Sequence, residues 1–221
     1  MGEKKLTKKQ RETIEKERVL NIVNVLEDEY GEALCSLEHR SPLELLIATQ
    51  LAAQCTDARV NTVTPALFDK YKSADDFAAA DIDELMELIK STGFFRNKAK
   101  NIINCCKKLV ENFDSKVPRE MEELLTLDGV GRKTANVVLG AAFDTPGIIV
   151  DTHMKRIANR LGLTKNTDPV KIEYDLIDVI PKNKWTSFSH AVVFHGRAAC
   201  KARKPLCGEC RLGGYCPGKV N

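Results

Sequence analysis

The chain has 221 residues, which is enough for one sizeable hydrophobic core or two small ones. Its 34 Lys and Arg residues against 31 Asp and Glu give a net charge of only +3, so the overall charge is a weak sign of a nucleic-acid ligand. No apolar run approaches the roughly eighteen residues of a membrane span, and the first residues lack the apolar segment of a signal peptide. We therefore expect no membrane contact and an intracellular location, in the cytoplasm or nucleoid if the source is prokaryotic.

Apolar residues recur at helical spacing along most of the chain, which predicts an all-α fold. In the first half, helices are predicted over 7–30, 45–53, two pieces on either side of Pro65 that end near Tyr71, a segment from Asp81 to Gly93, and 97–113. In the second half, helices are predicted over 120–127, 133–142, 154–161, 168–180 and 184–199. Ile148-Ile149-Val150 is the only β-like run, and it is too short for a sheet.

The segment 127–135, Leu-Asp-Gly-Val-Gly-Arg-Lys-Thr-Ala, joins two of these helices through a very short connection. Gly129 and Gly131 allow the backbone to turn through φ > 0 and leave no side chain in the way of a ligand. The N–H groups at the start of the second helix then suit a phosphate, and Val130 can hold the turn against the core. This pattern is typical of a helix–hairpin–helix, which binds the DNA backbone without reading base sequence.

Lys133 has both an ordinary and a catalytic interpretation, whereas Asp151 has an ordinary one. Lys133 lies in the first turn of a helix, where the macrodipole disfavours a cation. It is either a solvated surface lysine or an amine that the dipole and partial burial keep neutral, so that it can act as a nucleophile. Asp151 is in an N-cap position, where aspartate is favoured simply because it accepts from backbone N–H groups.

Gln54 and the Phe94-Phe95 pair each lie beside a predicted turn. Gln54 stands at a helix end, where the ordinary role of a glutamine is to cap a carbonyl. Phe94 and Phe95 follow Gly93 and precede polar and basic residues, so they are either core residues or an exposed wedge against bases. We expect at least one of the two to lie in the core.

Eight cysteines in a reducing compartment favour a metal or cluster over disulfides. Four of them have the spacing C-x6-C-x2-C-x5-C in a Gly- and Pro-rich segment that needs a metal to fold around: Cys200, Cys207, Cys210 and Cys216. Structural zinc sites usually have two C-x-x-C pairs and this segment has one, so the spacing favours a [4Fe–4S] cluster while leaving zinc open. Cys105 and Cys106, neighbours on a helix, are predicted to be buried small hydrophobes.

Basic residues concentrate near the C-terminus, where residues 196–221 contain six basic side chains and one acidic one. Residues 75–87 are instead rich in Asp and Glu. A basic face and an acidic face are typical of a protein that binds a polyanion on one side. Lys201, Arg203 and Lys204 lie between the first two cysteines of the set, and a stiff loop would present them to phosphates.

The chain resembles the endonuclease III family, the DNA glycosylase/AP lyases of the helix–hairpin–helix superfamily, over roughly residues 15–217. Three motifs carry the resemblance: the hairpin segment 127–135, Val150-Asp-Thr-His153 and the four-cysteine set. It implies a bifunctional enzyme of base excision repair that removes oxidised pyrimidines and cleaves the strand 3′ to the abasic site by β-elimination through a Lys Schiff base. Its partner would be double-stranded DNA with damaged pyrimidines or abasic sites, bound by a monomer.

The resemblance also implies roles for individual residues. Lys133 would attack C1′ of the damaged nucleotide, Asp151 would be the essential carboxylate beside it, and the four cysteines would hold a [4Fe–4S] cluster. Gln54 would fill the gap left by the flipped base, and Phe94 would be the wedge, where many relatives carry leucine. Asp128 departs from the proline that is usual before the first hairpin glycine, and its charge is expected to weaken phosphate binding slightly. The other expected DNA contacts are Gly129, Val130, Gly131, His153, Lys201, Arg203 and Lys204.

The implied architecture is two helical domains with a DNA cleft between them, across which Lys133 and Asp151 face each other. A six-helix barrel that contains the helix–hairpin–helix would cover 35–146. The second domain would combine 1–34 with 147–221 and carry the cluster loop at 200–216. Residues 1–14 lie outside the match and are either a disordered arm or an extra turn of helix.

Two other functions stay open at this point. A monofunctional mismatch glycosylase would share the fold, but such relatives lack a lysine at the position of Lys133. A non-catalytic helix–hairpin–helix protein would bind DNA through the hairpin and the basic loop alone. The joint presence of Lys133 and Asp151 argues against this second alternative.

Overall fold

Residues 7–31 and 35–219 are described in the computed structural model, and this part of the chain contains eleven α-helices, two short 3₁₀ turns and no β-strand. The all-α prediction is therefore confirmed. No described helix is both long and apolar enough to cross a lipid bilayer. Residues 1–6 of the predicted N-terminal arm lie outside the described residues, and the first helix begins inside that arm, at Lys8.

The chain divides into two compact units. The middle unit is Cys35–Thr145, and the terminal unit combines Met1–Leu34 with Pro146–Asn221. The helices in chain order are α1 (Lys8–Tyr30), α2 (Pro42–Leu51), α3 (Asp57–Lys70), α4 (Ala74–Ala78), α5 (Ile82–Ile89), α6 (Phe95–Asn112), α7 (Met121–Leu124), α8 (Arg132–Phe143), α9 (Thr152–Arg160), α10 (Pro169–Val179) and α11 (Trp185–Ala198).

Helix α2 is the centre of the middle unit because it is buried nearly all round, as its apolar sequence predicts. It packs against α3, α6 and α8. Removal of its apolar surface from water is the main stabilising contribution of this core. The side chains of α2 that are fully buried are Leu45, Leu46, Ile47, Ala48 and Leu51. Helix α2 thus provides the surface on which the hairpin helix α8 is placed.

The terminal unit has its own core, in which α1 packs against α11 and α11 packs against α9. An ion pair between Lys184 Nζ and Glu27 Oε2, 2.8 Å apart, also joins the residue before α11 to α1. The buried face of α1 consists of Val19, Ile22, Val23 and Leu26. Helix α9, which begins directly after Asp151, is therefore supported by α11.

Two local predictions differ from the structure. Pro65 does not divide α3, which continues through it; the proline is exposed, and a helix can pass an exposed proline at the cost of one hydrogen bond. Helix α4 is missing from the sequence prediction because five residues are too few to show a helical period. Cys105 and Cys106 are fully buried, as predicted.

Candidate functional site

The turn between α7 and α8 requires glycine at position 129. Gly129 has φ +74°, in the left-handed region that favours glycine. A Cβ atom there would lie 3.0 Å from Asn101 Cβ and 3.1 Å from Gln50 Oε1, so the backbone passes close to α6 and α2. The Val130 N–H donates to Leu127 O at 3.2 Å and closes the turn. The hairpin is therefore packed directly on two helices of the middle unit.

A left-handed backbone does not explain the glycine at position 131. Its φ is −102°, so the prediction that both glycines turn through φ > 0 is wrong at this position. It is the exposed N-cap of α8, and a Cβ atom there would meet no atom within 4 Å. The absence of a side chain at this position lets a ligand approach the start of α8. Val130 by contrast is buried in the core, as predicted, so only its backbone can reach a ligand.

Lys133 is the second residue of α8, in the first turn as predicted, and its side chain is exposed. The predicted partial burial is therefore wrong. Burial depends on the packing of distant segments, which the position of a lysine within a helix does not reveal. The amine is free to reach a ligand that is bound at the end of the helix.

Asp128, the expected source of repulsion in the hairpin, is paired with a lysine. Its Oδ2 atom lies 2.9 Å from Lys108 Nζ, which also donates to Thr126 O at 2.8 Å. Both side chains of the pair are partly exposed, so it contributes little to stability. The lysine nevertheless offsets the extra negative charge beside the hairpin and limits the repulsion expected of Asp128.

Gln54 and Phe94 are exposed residues with a left-handed backbone, at φ +55° and +48°. Phe94 is 62% exposed, whereas Phe95 is partly buried against the core, so one of the two aromatic rings packs inward as predicted. A pocket of about 230 Å³ is lined by Gln50, Ala53, Gln54, Phe94, Asn97, Lys98, Asn101 and Gly129. The middle unit thus brings Gln54 and Phe94 together with the hairpin glycine, Gly129.

Sequence reasoning misses the polar lining of this pocket. Gln50 is visible as a polar interruption of an apolar helix, but nothing local indicates that it faces Gly129. Lys98 and Asn101, one turn apart on α6, have the pattern of ordinary surface residues on an amphipathic helix. Lys98 is nevertheless only 6% exposed.

Asp151 is the N-cap of α9 and is partly buried. Its Oδ1 atom accepts from the Met154 N–H at 2.7 Å, which confirms the N-cap interpretation and leaves the catalytic role a prediction. The loop before it is fixed by the Ile149 N–H, which donates to Ser189 Oγ at 3.0 Å. The carboxylate is therefore held at the positive end of a helix, which stabilises its negative charge. Asp151 belongs to the terminal unit and Lys133 to the middle unit.

His153 lies at the contact between α9 and α11. Its Nδ1 atom is 3.1 Å from Arg156 Nη2. A Cβ atom at Gly196 would lie 2.3 Å from the same His153 nitrogen, so glycine is needed for the two helices to approach this closely. The partly buried His153 side chain contributes to helix packing, and its contact with DNA stays a prediction.

The four free thiols of the C-terminal cysteine set surround one pocket, which is also lined by Arg160, His195 and Leu212. Burial raises the pKa of the Cys210 and Cys216 thiols, peptide N–H groups lower it in part, and neighbouring thiolates raise it further. In the described part of the chain, no group of three or more His, Cys, Asp or Glu is placed to hold a single metal ion. Thiols that surround a pocket fit a cluster of several irons, whose ligands stand farther apart than those of one ion.

Helix α9 holds this loop through two arginines one turn apart. Arg160 Nη1 lies 3.2 Å from Cys200 Sγ and donates to Lys201 O at 2.8 Å. Arg156 Nη2 donates to Cys200 O at 2.9 Å. The Gly218 N–H donates to Arg160 O at 3.0 Å, and a Cβ atom at position 218 would lie 2.6 Å from that oxygen. Sequence reasoning misses both arginines, although their i,i+4 spacing places them on one face of α9.

The basic side chains of the loop point into solvent. Lys201, Arg203 and Lys204 are all exposed, while the backbone at Lys201 is fixed by Arg160. This combination of a fixed backbone and exposed cations is what the sequence predicts. Contact between these side chains and phosphates stays a prediction.

We predict that Gly129→Ala lowers the free energy of unfolding by about 1 kcal/mol or more, because alanine disfavours the left-handed backbone and its Cβ crowds Asn101 and Gln50. Gly214→Ala is the matched control, since this exposed glycine has room for a methyl group, lacks a positive φ and caps no helix, and it should change stability by less than about 0.5 kcal/mol. Urea titrations followed by circular dichroism measure both effects. Equal stabilities of the two variants would contradict the requirement for glycine at position 129.

We predict that Arg160→Leu lowers the iron and acid-labile sulfide retained per chain by about tenfold after gel filtration, because the Cys200 sulfur loses its guanidinium contact. Arg211→Leu is the matched control: this arginine lies in the same loop, is exposed, and is 3.8 Å from Asp28. Full iron content in Arg160→Leu would show that the contact with α9 is not needed to retain the metal.

Comparison with known protein families identifies the class of this chain. Residues 47–182 match the family described as HhH-GPD superfamily base excision DNA repair protein, and residues 200–216 match the iron-sulfur binding domain of endonuclease III. The chain is 58% identical to endonuclease III of Synechocystis sp. over 203 residues, which are 91% of this chain and 93% of that protein. It is 37% identical to endonuclease III of Escherichia coli, over 92% of this chain and 97% of that protein.

Solved structures show the same relationship. The chain is similar to a trapped endonuclease III–DNA covalent intermediate and to a non-covalent endonuclease III–DNA complex, each with a TM-score of 0.88, 43% identity, and coverage of 92% of this chain and 96% of the other. A thermostable thymine-DNA glycosylase, at 21% identity and a TM-score of 0.83, shares the fold alone. The match at 200–216 decides the open choice between zinc and a cluster in favour of [4Fe–4S]. The chain therefore belongs to the endonuclease III family, within the HhH-GPD superfamily of base excision DNA repair proteins, and it is a DNA glycosylase that carries a [4Fe–4S] cluster.

Proposed function

We propose that this protein is a bifunctional DNA glycosylase/AP lyase that removes oxidised pyrimidines from double-stranded DNA and then cleaves the strand 3′ to the abasic site. The observation that carries the proposal is Lys133, an exposed primary amine in the first turn of the hairpin helix. A lyase differs from a simple glycosylase by using an amine instead of water, because water leaves an intact abasic site. The covalent DNA intermediate trapped in the similar endonuclease III supports the same chemistry here.

The hairpin would hold the DNA backbone near this amine. The first N–H groups of α8 suit a phosphate oxygen, and the exposed Gly131 lets the strand approach them. Such a contact is independent of base sequence, which suits a protein that searches all DNA for damage. The exposed Lys201, Arg203 and Lys204 would add contacts to further phosphates, on a loop that the [4Fe–4S] cluster stiffens when Cys200, Cys207, Cys210 and Cys216 hold it.

A base inside a duplex is out of reach of the amine, so the damaged nucleotide has to rotate out of the stack. Gln54 and Phe94 would occupy the space that it leaves, since both are exposed and line one pocket of the middle unit. The Gln54 amide would fill the gap, and the Phe94 ring would enter the base stack beside it. Damaged pairs cost least to open, which gives part of the selectivity.

The first chemical step would be displacement of the base by Lys133. The neutral amine attacks C1′ while the N-glycosidic bond breaks, and the base leaves with the bonding electron pair and takes up a proton. Positive charge develops on the sugar, and the Asp151 carboxylate stabilises it or accepts the proton that the lysine nitrogen loses. Its Oδ1 atom is held by the Met154 N–H, so the carboxylate enters the step in a fixed orientation.

Strand cleavage would follow from the same covalent bond. The C1′–O4′ bond then breaks: O4′ keeps the electron pair and takes up a proton, and the nitrogen lone pair forms the C=N bond of a protonated Schiff base between Lys133 and C1′. This positive charge makes the C2′ proton acidic. Loss of that proton forms the C2′–C3′ double bond and breaks the C3′–O bond, so the 3′ phosphate leaves with the electron pair. Hydrolysis of the Schiff base then releases the lysine.

We predict that sodium borohydride traps a covalent adduct between the protein and a duplex with one abasic site or thymine glycol, because it reduces the Schiff base to a stable amine. Lys133→Gln should give no adduct, and Lys100→Gln, which changes an exposed lysine of α6, should give as much as the wild type. Denaturing gels of labelled duplex measure both. A wild-type protein that releases the base without an adduct would be a monofunctional glycosylase, and one that does neither would be a DNA-binding protein only.

We predict that Asp151→Asn distinguishes the role of this residue as the N-cap of α9 from its proposed catalytic role. Asparagine also caps helices, so the free energy of unfolding should change by less than about 0.5 kcal/mol. Loss of the negative charge should slow single-turnover base release by about a hundredfold or more. Asp168→Asn, at the equivalent N-cap of α10, is the matched control and should leave the rate unchanged. A normal rate of base release in Asp151→Asn would show that the carboxylate acts only as a helix cap.

A further inference from the structure

We propose that Lys98 is a positioning residue that holds Gln54 and Phe94 in the arrangement in which they enter DNA. The proposal rests on the function proposed above, in which these two side chains replace the rotated nucleotide. Gln54 and Phe94 lie in different loops, and their side chains must enter one base stack together. Their joint entry therefore requires a contact within the middle unit that fixes the two loops relative to each other.

The Lys98 ammonium group binds a backbone carbonyl at the base of each loop. It is 6% exposed, and its Nζ atom donates to Leu51 O at 2.7 Å and to Thr92 O at 2.9 Å. Leu51 is the last residue of α2, and Thr92 is the last residue of the 3₁₀ turn that follows α5. Carbonyls at helix ends have no partner within the helix, so one buried cation satisfies two of them.

Each of these carbonyls lies a few residues before Gln54 or Phe94 in the chain. Leu51 is three residues before Gln54, and Thr92 is two residues before Phe94. The backbone N–H of Lys98 also donates to Phe94 O at 3.1 Å. Lys98 therefore joins the segment before Gln54 to both the residue before the Phe94 turn and Phe94 itself.

The backbone conformations of the two loops require such support. Gln54 and Phe94 both have positive φ, at +55° and +48°, although neither is glycine. Residues other than glycine keep a left-handed backbone only where surrounding contacts fix it, and such residues cluster at ligand-binding sites. A bulky aromatic ring in this conformation is the less common of the two cases.

Burial of a lysine is energetically unfavourable, so its use to connect two loops indicates a role beyond packing. Burial lowers the pKa of Lys98 and so opposes its charged form. The charge is supported by the two carbonyls and by the negative end of α2, where a cation is favoured. The same side chain lines the pocket that Gln54 and Phe94 share.

The test uses a duplex in which 2-aminopurine faces a tetrahydrofuran abasic site that cannot be cleaved. Entry of Gln54 and Phe94 changes the stacking of 2-aminopurine and therefore its fluorescence, and binding is followed separately by anisotropy. Because no chemical step is involved, this readout does not depend on Lys133. A wild type that changes the fluorescence but forms no borohydride adduct would overturn the lyase proposal and leave this one standing.

Lys98→Met keeps the length of the side chain and removes the donor. At saturating protein we expect the fluorescence change to fall by about twofold or more, since the two side chains no longer enter together. Lys100→Met, an exposed lysine on the same helix, is the matched control and should behave like the wild type. Circular dichroism reports whether Lys98→Met is folded, and Lys98→Gln, which keeps one donor group, replaces it if it is not.

A comparison of affinities distinguishes positioning of these two side chains from general damage to the middle unit. Lys98→Met should weaken binding to the duplex, measured by anisotropy, in the wild-type background, and it should cause no further loss of affinity in a protein that already carries Gln54→Ala and Phe94→Ala. An equal loss of affinity in both backgrounds would show general damage to the middle unit and overturn the proposal. So would a full fluorescence change in folded Lys98→Met, or no change with the wild type on a saturated duplex.

Discussion

The close approach of the Gly129 backbone to α2 and α6 is the constraint on which the site in the middle unit depends. Because no side chain fits there, the hairpin rests on Asn101 and Gln50, and the turn that starts α8 lines the same pocket as Gln54 and Phe94. This contact also positions Lys133, because Lys133 is the second residue of the helix that follows the turn. Close packing and one left-handed residue thus position a group whose proposed role is chemical.

Features that depend on neighbours along the chain are the ones that sequence reasoning predicts well. Helical periods, the N-cap at Asp151 and the hairpin glycines are all local, and the spacing of the four cysteines is a local pattern as well. Family resemblance adds the cluster, because spacing alone leaves zinc open. The limits of local reasoning appear where tertiary packing overrides it: α3 continues through Pro65, and Gly131 does not use the φ > 0 that its residue type allows.

Contacts between distant segments could not be predicted. Lys98 reaches a carbonyl 47 residues away, and Arg156 reaches one 44 residues away. Every residue has a carbonyl, so the sequence does not indicate which carbonyl accepts from such a cation. The cation itself lies at a position that is typical of a surface residue. For the same reason the sequence does not reveal that Lys98 is buried while Lys133 is exposed.

The core around α6 shields its two adjacent cysteines from peroxide. Cys105 and Cys106 are fully buried, and burial raises the pKa of Cys105 to about 12 and that of Cys106 well above its usual range. The thiolate, not the thiol, reacts with peroxide, so both sulfurs stay reduced where exposed thiols would form sulfenic acid. The helix that carries Lys98 therefore presents no exposed thiol for a peroxide to oxidise.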